Sequence, residues 1–316
     1  MKKIITITVN PTIDKSIAVP LLTENTKLRC TDIQFEPGGG GINISRALKN
    51  LGGSSRALFF EGGFFGSYFK KLFKEKKISY DAFKIKNETR ESLIIFDESN
   101  AKQYLIDMQG PTITKTEWQP LLTYISKLTD VEFIVASGSL PPGIPVDFYS
   151  KIAKLSKEIG AKFILDSSGE PFKLAIIEGL YLIKPNLKEM GILTGIENID
   201  KQMAKTKAAE IIKSKKCEAI VISLGPDGAL LVTDNASEHF LAPVVDVKST
   251  VGAGDSMLAG IVYSLSKNES LQDAVHYGVA CGASATTKHG TALCDKKTSD
   301  DLYKNFDIRV FNGLQN

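Results

Sequence analysis

Cysteine and histidine are sparse in this chain of 316 residues, and neither is arranged for metal or disulfide chemistry. The four cysteines, Cys30, Cys217, Cys281 and Cys294, show no Cys-x-x-Cys spacing, and His239, His276 and His289 share no ligand spacing. A transition-metal centre and a disulfide framework are therefore not expected; reduced thiols filling the core of a cytosolic protein are. Charge of one sign is lacking too. With a net charge of +3 and 24% charged residues, neither nucleic acid nor an anionic membrane is an expected partner. No apolar run approaches the length of a bilayer span, and the N-terminus opens as a strand and not as a signal peptide, so a cytoplasmic location is expected. The pattern Gly-x-x-x-x-Gly-Lys-[Ser/Thr] occurs nowhere, which excludes a P-loop.

What the chain does contain is alternation. Short β-prone apolar runs at 4–9, 56–60, 133–136, 163–165, 180–183 and 219–222 recur with helical patterns between them. Continuous runs of this kind are buried on both faces of a parallel sheet. Phe148, Ile152, Leu155 and Ile159 mark one apolar helical stripe, closing at Gly160. The pattern predicts a single α/β domain over residues 1–316: a doubly wound, mostly parallel sheet flanked by helices, with ligands outside the carboxyl ends of its strands. Two excursions, about 13–36 and 83–108, alternate like strands without intervening helices, and 93–96 with 103–106 reads as a hairpin. They are expected to form one small β-sheet lid. Apolar residues on both of its faces would need a second cover, which suits a homodimer interface; a solvated meander is the plainer alternative.

The run Ser249-Thr250-Val251-Gly252-Ala253-Gly254-Asp255-Ser256-Met257 carries the most chemistry. Met257, Leu258, Ile261, Val262 and Leu265 recur at helical spacing, so a helix beginning near Ala253 is predicted. Gly252 and Gly254 leave N–H groups uncovered at its positive end, which suits a phosphate. Asp255 would repel that phosphate, but it can accept the proton of an attacking hydroxyl. Gly252, Ala253, Gly254 and Asp255 together make a phosphoryl-transfer site, amides for the anion and a carboxylate base for the alcohol. On spacing alone, an ordinary glycine-rich turn with Asp as N-terminal cap fits equally well.

A second glycine-rich loop, Pro37 to Leu48, also enters a helix. Asn43 occupies the third glycine position of a dinucleotide fingerprint, and 34–37 is not the buried strand such a fingerprint follows, so an oxidoreductase is not indicated. Gly39 and Gly40 would instead let a polyhydroxy ligand lie close, with Asn43, and Asp14 from the first strand end, bonding its hydroxyls. Alone, Asp14 reads as a turn residue. Ser223, Gly225 and Gly228 follow the strand at 219–222, where a loop could line a nucleotide, and Lys184 and Asn186 are similarly placed. Asn186 and Glu189, three apart, would suit water-mediated Mg²⁺ beside phosphates, or simply a helix cap with a first-turn acid. Lys27, Arg29 and Arg90 are the cationic candidates for a phosphate already on the substrate; Arg90, inside the lid, could grip it bidentately, and surface charge is the alternative for each.

Taken together, these stretches resemble the PfkB branch of the ribokinase-like carbohydrate kinases, from 9–14 to Gly290 and Thr291. Both family motifs match in order, at 38–47 and 249–260, and the second match decides the glycine-rich turn in favour of phosphoryl transfer. The resemblance implies a ribokinase-like fold and ATP-dependent transfer to a sugar hydroxyl, with the equivalent of Asp255 as base and residues 252–254 as anion hole. It also implies that Asn186 and Glu189 belong to an Asn-x-x-Glu motif governing Mg²⁺ and phosphate, and that the hairpin is the lid through which many members dimerise. Arg90 matches the family's phosphate-gripping arginine, and 137–143, which includes Ser139, matches the phosphosugar kinases. The stretches 27–30, 35–41, 166–170 and 223–226 look closest to PfkB-type 6-phosphofructokinases, so conversion of fructose 6-phosphate to fructose 1,6-bisphosphate is the expected reaction. Fructose-1-phosphate or tagatose-6-phosphate is the alternative substrate, although most such kinases carry Gly-Lys-Gly where this chain has Gly39-Gly40-Gly41. A non-catalytic sugar-phosphate or nucleotide sensor on the same fold is the alternative of another class. Many members also bind K⁺ through backbone carbonyls, and Ser249, Val251, Ala285, Lys288 and Gly290 occupy the matching region; Lys288 and Ala292 stand where close relatives have Asn and Arg.

Overall fold

The computed structural model describes residues 2–305. Strand β1 (Ile4–Thr8) is followed by β2 (Thr12–Val19) and β3 (Thr31–Gly38), then helix α1 (Gly40–Asn50), β4 (Arg56–Gly62) and α2 (Gly63–Glu75). Three strands come next, β5 (Ser79–Ile85), β6 (Arg90–Asp97) and β7 (Lys102–Asp107), and then α3 (Lys115–Ile125). Regular βα alternation resumes with β8 (Phe133–Ser137), α4 (Phe148–Glu158), β9 (Lys162–Asp166), α5 (Gly169–Ile176) and β10 (Leu180–Ile183). Helices α6 (Leu187–Thr194) and α7 (Lys201–Lys213) lead to β11 (Cys217–Ser223), β12 (Ala229–Thr233) and β13 (Ser237–Phe240). The last described elements are α8 (Ala253–Ser266), α9 (Leu271–Thr286) and α10 (Lys296–Asn305).

Nine strands form one sheet in the order β13-β12-β11-β10-β9-β8-β1-β4-β5, parallel from β11 to β5 and antiparallel at β12 and β13. Both faces are covered, which is why the parallel strands read as unbroken apolar runs. Side chains alternate across them: Ile5, Ile7 and Ile134 face the layer holding α3, α4 and α5, while Ile4, Phe133 and Val135 pack with α1, α8 and α9. All six strands expected from the sequence lie in this sheet. The helix anticipated around Phe148 and Ile152 is α4, and Gly160 follows it at φ 73°. Strands β5, β12 and β13 were not anticipated; residues 83–85, expected in the lid, close β5 at the edge of the large sheet.

A separate four-stranded sheet has the order β3-β2-β6-β7, with β2 and β6 parallel and the outer pairs antiparallel. It joins the two excursions, and its β6–β7 hairpin turns at residues 98–101, one position beyond the 97–100 expected. Its edge strands expose Ile33 and Phe35 on β3 and Tyr104, Leu105 and Ile106 on β7. Since consecutive residues of a strand point to opposite faces, β7 leaves apolar surface on both. Among the described residues, no helix is long and apolar enough to cross a membrane.

Candidate active site

Helix α8 starts where the glycine-rich run predicts, and its apolar stripe is buried. Gly252 caps it at φ 76°, in the left-handed region that other residues enter at a cost, and a Cβ there would stand 2.7 Å from Leu293. The turn leaves the N–H groups of Gly252 and Gly254 without an acceptor among the described residues. Ala253 differs from expectation, because its N–H turns back to the Thr250 carbonyl at 3.3 Å. Two of the three expected anion-hole amides are therefore free.

Asp255, in the first turn, is partly exposed, and its Oδ2 accepts a hydrogen bond from Asn43 Nδ2 at 2.9 Å. Burial pushes its carboxyl up to about 6 and the neighbouring Asp166 adds to the rise, against the Asn43 hydrogen bond, Lys184 and Arg46. A base that titrates near neutrality suits proton abstraction at physiological pH. Beside it lies Lys184, buried, with Nζ 3.4 Å from Asp166 Oδ2 and 3.4 Å from where a Cβ on Gly254 would stand. Burial alone would lower this amine, but Asp166, Asp255 and Glu189 hold it above its ordinary value. A fixed positive charge thus adjoins the start of α8.

A cavity of about 800 Å³ opens here and gathers Lys184, Asn186, Glu189, Ser223, Gly225 and Gly228 with Ala253 and Gly254. Every residue expected to hold the nucleotide lines it. Its other wall is apolar: Pro243, Val247 and Val279 flank Val244, which is 97% exposed and so has nothing packed over it. An apolar slot beside a charged mouth matches a nucleobase carrying phosphates. Asn186 and Glu189 do form the expected capping box, the Asn186 side chain accepting from the Glu189 N–H at 2.8 Å and Glu189 Oε2 accepting from the Asn186 N–H at 2.9 Å. Glu189 therefore keeps Oε1 for a ligand, and burial raises its carboxyl above the usual range. Among the described residues no three His, Cys, Asp or Glu side chains cluster for a metal. Glu189 with Asp166 still fits Mg²⁺, which takes few protein ligands and keeps its waters.

A second cavity of about 640 Å³ holds Arg90, Ser139 and Asn10. Asn10 Nδ2 donates to Ser139 Oγ at 3.3 Å, and Arg90 donates to the Asn10 and Met108 carbonyls at 3.4 and 3.2 Å. Asp107, mostly exposed, pairs with Arg90 at 3.3 Å while the same oxygen accepts from Ser92 Oγ at 2.7 Å, so an arriving phosphate would compete with one carboxylate for the guanidinium. Gly40, the first residue of α1, abuts Ser137, two residues before Ser139, and Gly39 lies against Thr8 and Pro11. Asp14 departs from expectation in position: it lies within lid strand β2, buried against Gly38, whose added Cβ would overlap the carboxylate. Burial pushes Asp14 up to about 7 against the pull of Arg46 and Arg90. Asn43 is engaged by protein at both ends of its amide, Nδ2 by Asp255 at 2.9 Å and Oδ1 by Arg46 at 3.2 Å, which leaves one N–H and one lone pair for a sugar hydroxyl. Lys27 and Arg29 are exposed in the β2–β3 connection and line neither cavity.

The residues expected around a monovalent cation are drawn together. Ser249 Oγ lies 2.8 Å from the Gly290 carbonyl and 3.0 Å from Gln103 of the lid, and the Val251 N–H donates to it at 3.2 Å. The Ala285 carbonyl accepts from the Lys288 N–H at 3.0 Å, and the Lys288 side chain turns away to Asp295 at 2.7 Å. Each carbonyl keeps a second lone pair for a cation. Two cavity residues, Asp166 and Asn10, were not singled out from the sequence as site residues. The available signal was positional: each is a polar residue just at or beyond the carboxyl end of a buried strand.

The family model described as "pfkB family carbohydrate kinase" matches residues 5–298. The "ATP-dependent 6-phosphofructokinase isozyme 2" of Escherichia coli (strain K12) is 36% identical over 304 residues, covering 96% of this chain and 98% of that protein. A "1-phosphofructokinase" of Borreliella burgdorferi is 33% identical over 294 residues, covering 92% and 94%, and a "Tagatose-6-phosphate kinase" of Staphylococcus epidermidis is 30% identical over 310 residues, covering 96% and 99%. The crystal structure of phosphofructokinase-2 from Escherichia coli in complex with potassium superposes with a TM-score of 0.92 at 36% identity, covering 96% of this chain and 99% of that one. The chain belongs to the pfkB family of carbohydrate kinases, with the ribokinase-like fold. It is an ATP-dependent kinase of sugar phosphates.

Proposed function

We propose that the chain transfers the γ-phosphate of ATP to the C1 hydroxyl of fructose 6-phosphate, giving fructose 1,6-bisphosphate. The observation that carries the chemistry is Asp255, a partly exposed carboxylate pushed up to about 6, next to two unpaired amides and a buried lysine. Asp255 takes the proton of the hydroxyl as its oxygen attacks the γ-phosphorus. The Gly252 and Gly254 amides and Lys184 stabilise the charge that gathers on the transferring phosphoryl group. Mg²⁺ bound by Glu189 and Asp166 with water would neutralise the nucleotide's phosphates. Ser223, Gly225 and Gly228 line the nucleotide; Arg90 and Ser139 hold the 6-phosphate, and Asp14 accepts from sugar hydroxyls.

Fructose 6-phosphate is favoured by the guanidinium in the second cavity together with Gly40, where a lysine is usual in 1-phosphofructokinases and tagatose-6-phosphate kinases. Tagatose 6-phosphate and fructose 1-phosphate are the competing readings, since relatives carrying those names cover the chain about as fully. Comparing kcat/KM on the three sugar phosphates decides the matter: preference for either rival over fructose 6-phosphate rejects the assignment. The apolar surface on both faces of β7 supports a homodimer closed through the lid, and the carbonyls of 249–251 and 285–290 support K⁺ binding; replacing K⁺ by a large organic cation should then lower turnover.

A further inference from the structure

We propose that Arg46 is a positioning residue for the phosphoryl-transfer base, acting by fixing which end of the Asn43 amide faces Asp255. The proposal rests on Asp255 being that base. Arg46 is only 6% exposed, and the catalytic scheme above makes no use of it. Its NH2 meets Glu36 Oε1 at 2.6 Å, and its NH1 donates to the Pro37 carbonyl at 3.0 Å and to Asn43 Oδ1 at 3.2 Å.

A guanidinium can only donate, and an ionised carboxylate can only accept. Between Arg46 and Asp255 the Asn43 amide therefore has one permitted orientation, oxygen toward the arginine and nitrogen toward the aspartate at 2.9 Å. Without Arg46 the amide could turn over, and its oxygen would then confront Asp255 Oδ2. The present arrangement commits Oδ2 to Asn43 and leaves Oδ1 for the substrate proton. The support reaches further back, because Glu36 also accepts from Thr291 Oγ1 at 2.7 Å and pairs with Lys76 at 3.1 Å. The same triad holds Glu36 below the usual carboxylate range despite its burial. Lid strand β3 is thereby tied, through one buried cation, to the side chain that orients the base.

Arg46 also bears on the charge balance of the site. The groups facing Asp255 are Asp166 from the end of β9, Lys184 from the end of β10 and Arg46 from α1, with Glu189 of α6 acting on Lys184. Arg46 is one of two cations opposing the rise of the Asp255 carboxyl, and the foremost opposing the rise of Asp14.

The test measures kcat, KM and their pH profiles on the full chain with ATP and the best of the three sugar phosphates. Arg46→Lys keeps the charge but puts all donors on one atom, whereas the guanidinium reaches Glu36 with NH2 and Pro37 and Asn43 with NH1 in a fixed plane. It should lower kcat between about 10- and 100-fold, with the KM for ATP within about twofold and the acid limb unmoved. In a double-mutant cycle, adding Arg46→Lys to Asn43→Ala should cost nothing more, since the arginine acts through the amide. Glu36→Gln/Arg46→Met removes both halves of the buried pair, avoiding an orphaned charge; it should lower kcat as Arg46→Lys does and also move the acid limb upward. Unchanged kcat in Arg46→Lys, or additive losses in the cycle, overturns the proposal. If Arg46→Lys fails to fold, the kcat of the double variant decides by itself, and a kcat equal to the parent's rejects the role. Asp255→Asn run alongside separates the two claims: near-normal turnover there rejects the base itself, whatever Arg46 does.

Discussion

The substitution Asp255→Asn separates what this residue does for the reaction from what it does to the fold. Its carboxyl rises from 3.8 to about 6 in the folded chain, so the native state binds that proton more tightly than the unfolded chain does. Stability from this group is fully present below 3.8 and is lost as pH rises through 6, leaving the charged form to be carried at neutral pH. At 1.36 kcal/mol per pH unit the cost approaches about 3 kcal/mol, and partial exposure reduces it to about 1–3 kcal/mol. An asparagine amide has the same shape, needs no desolvated charge, and can still accept from Asn43. The variant should therefore be more stable than the parent by about 1–3 kcal/mol at pH 8, while turnover falls about 10²–10⁴-fold for want of a base. The stability gain should shrink between pH 6 and pH 4 and vanish below. Urea melts across that range, with a coupled ADP-release assay at pH 8, measure both halves. A variant less stable at pH 8, or a gain that ignores pH, refutes the electrostatic account; turnover near the parent's refutes the catalytic one.

Three further outcomes are expected. Arg90→Ala should raise the KM for the sugar phosphate about 10- to 100-fold with a smaller change in the KM for ATP, since a charge-assisted phosphate contact carries about 1.5–3 kcal/mol; steady-state kinetics showing an unchanged sugar KM would remove Arg90 from the site. Gly38→Ala forces a methyl into the Asp14 carboxylate, so thermal unfolding should show a loss of about 1–3 kcal/mol together with weaker sugar binding, and a neutral melt would mean that the lid yields there. If the chain dimerises through the lid as proposed, Ile106→Asp on the exposed β7 should give monomer in sedimentation experiments, and a mass unchanged from the parent's would reject that interface.

Some of this molecule was legible residue by residue. Strands β1, β4, β8, β9, β10 and β11 showed as β-prone runs because each is buried on both faces, and a helix near Ala253 showed because Met257, Leu258 and Ile261 must all point inward. Strand β13 escaped because its four residues, Ser-Glu-His-Phe, alternate weakly at a sheet edge. Strand β5 escaped for a similar reason, being a partly exposed edge beside β4. In the site, Gly252, Gly254 and Asp255 were readable as a local motif, since a helix start places them together by chain connectivity alone. Asp166 and Asn10 were not singled out: their position at the carboxyl ends of β9 and β1 marked them as candidates, but only the fold shows which strand ends share a cavity.

The order of apolar runs, the two glycine-rich helix starts and the acid at 255 belong to the sequence, since each depends on neighbours within a few residues along the chain. The partners of those groups belong to the tertiary structure. Asn43 and Asp255 are 212 positions apart, yet their side chains meet at 2.9 Å because α1 and α8 pack on the same face of one sheet. That meeting gives the expected sugar ligand a hydrogen bond to Asp255 that no local pattern announces. Lys184 likewise becomes a fixed charge beside the helix start only once the strand ends converge, for desolvation and Coulomb forces act on distance in space.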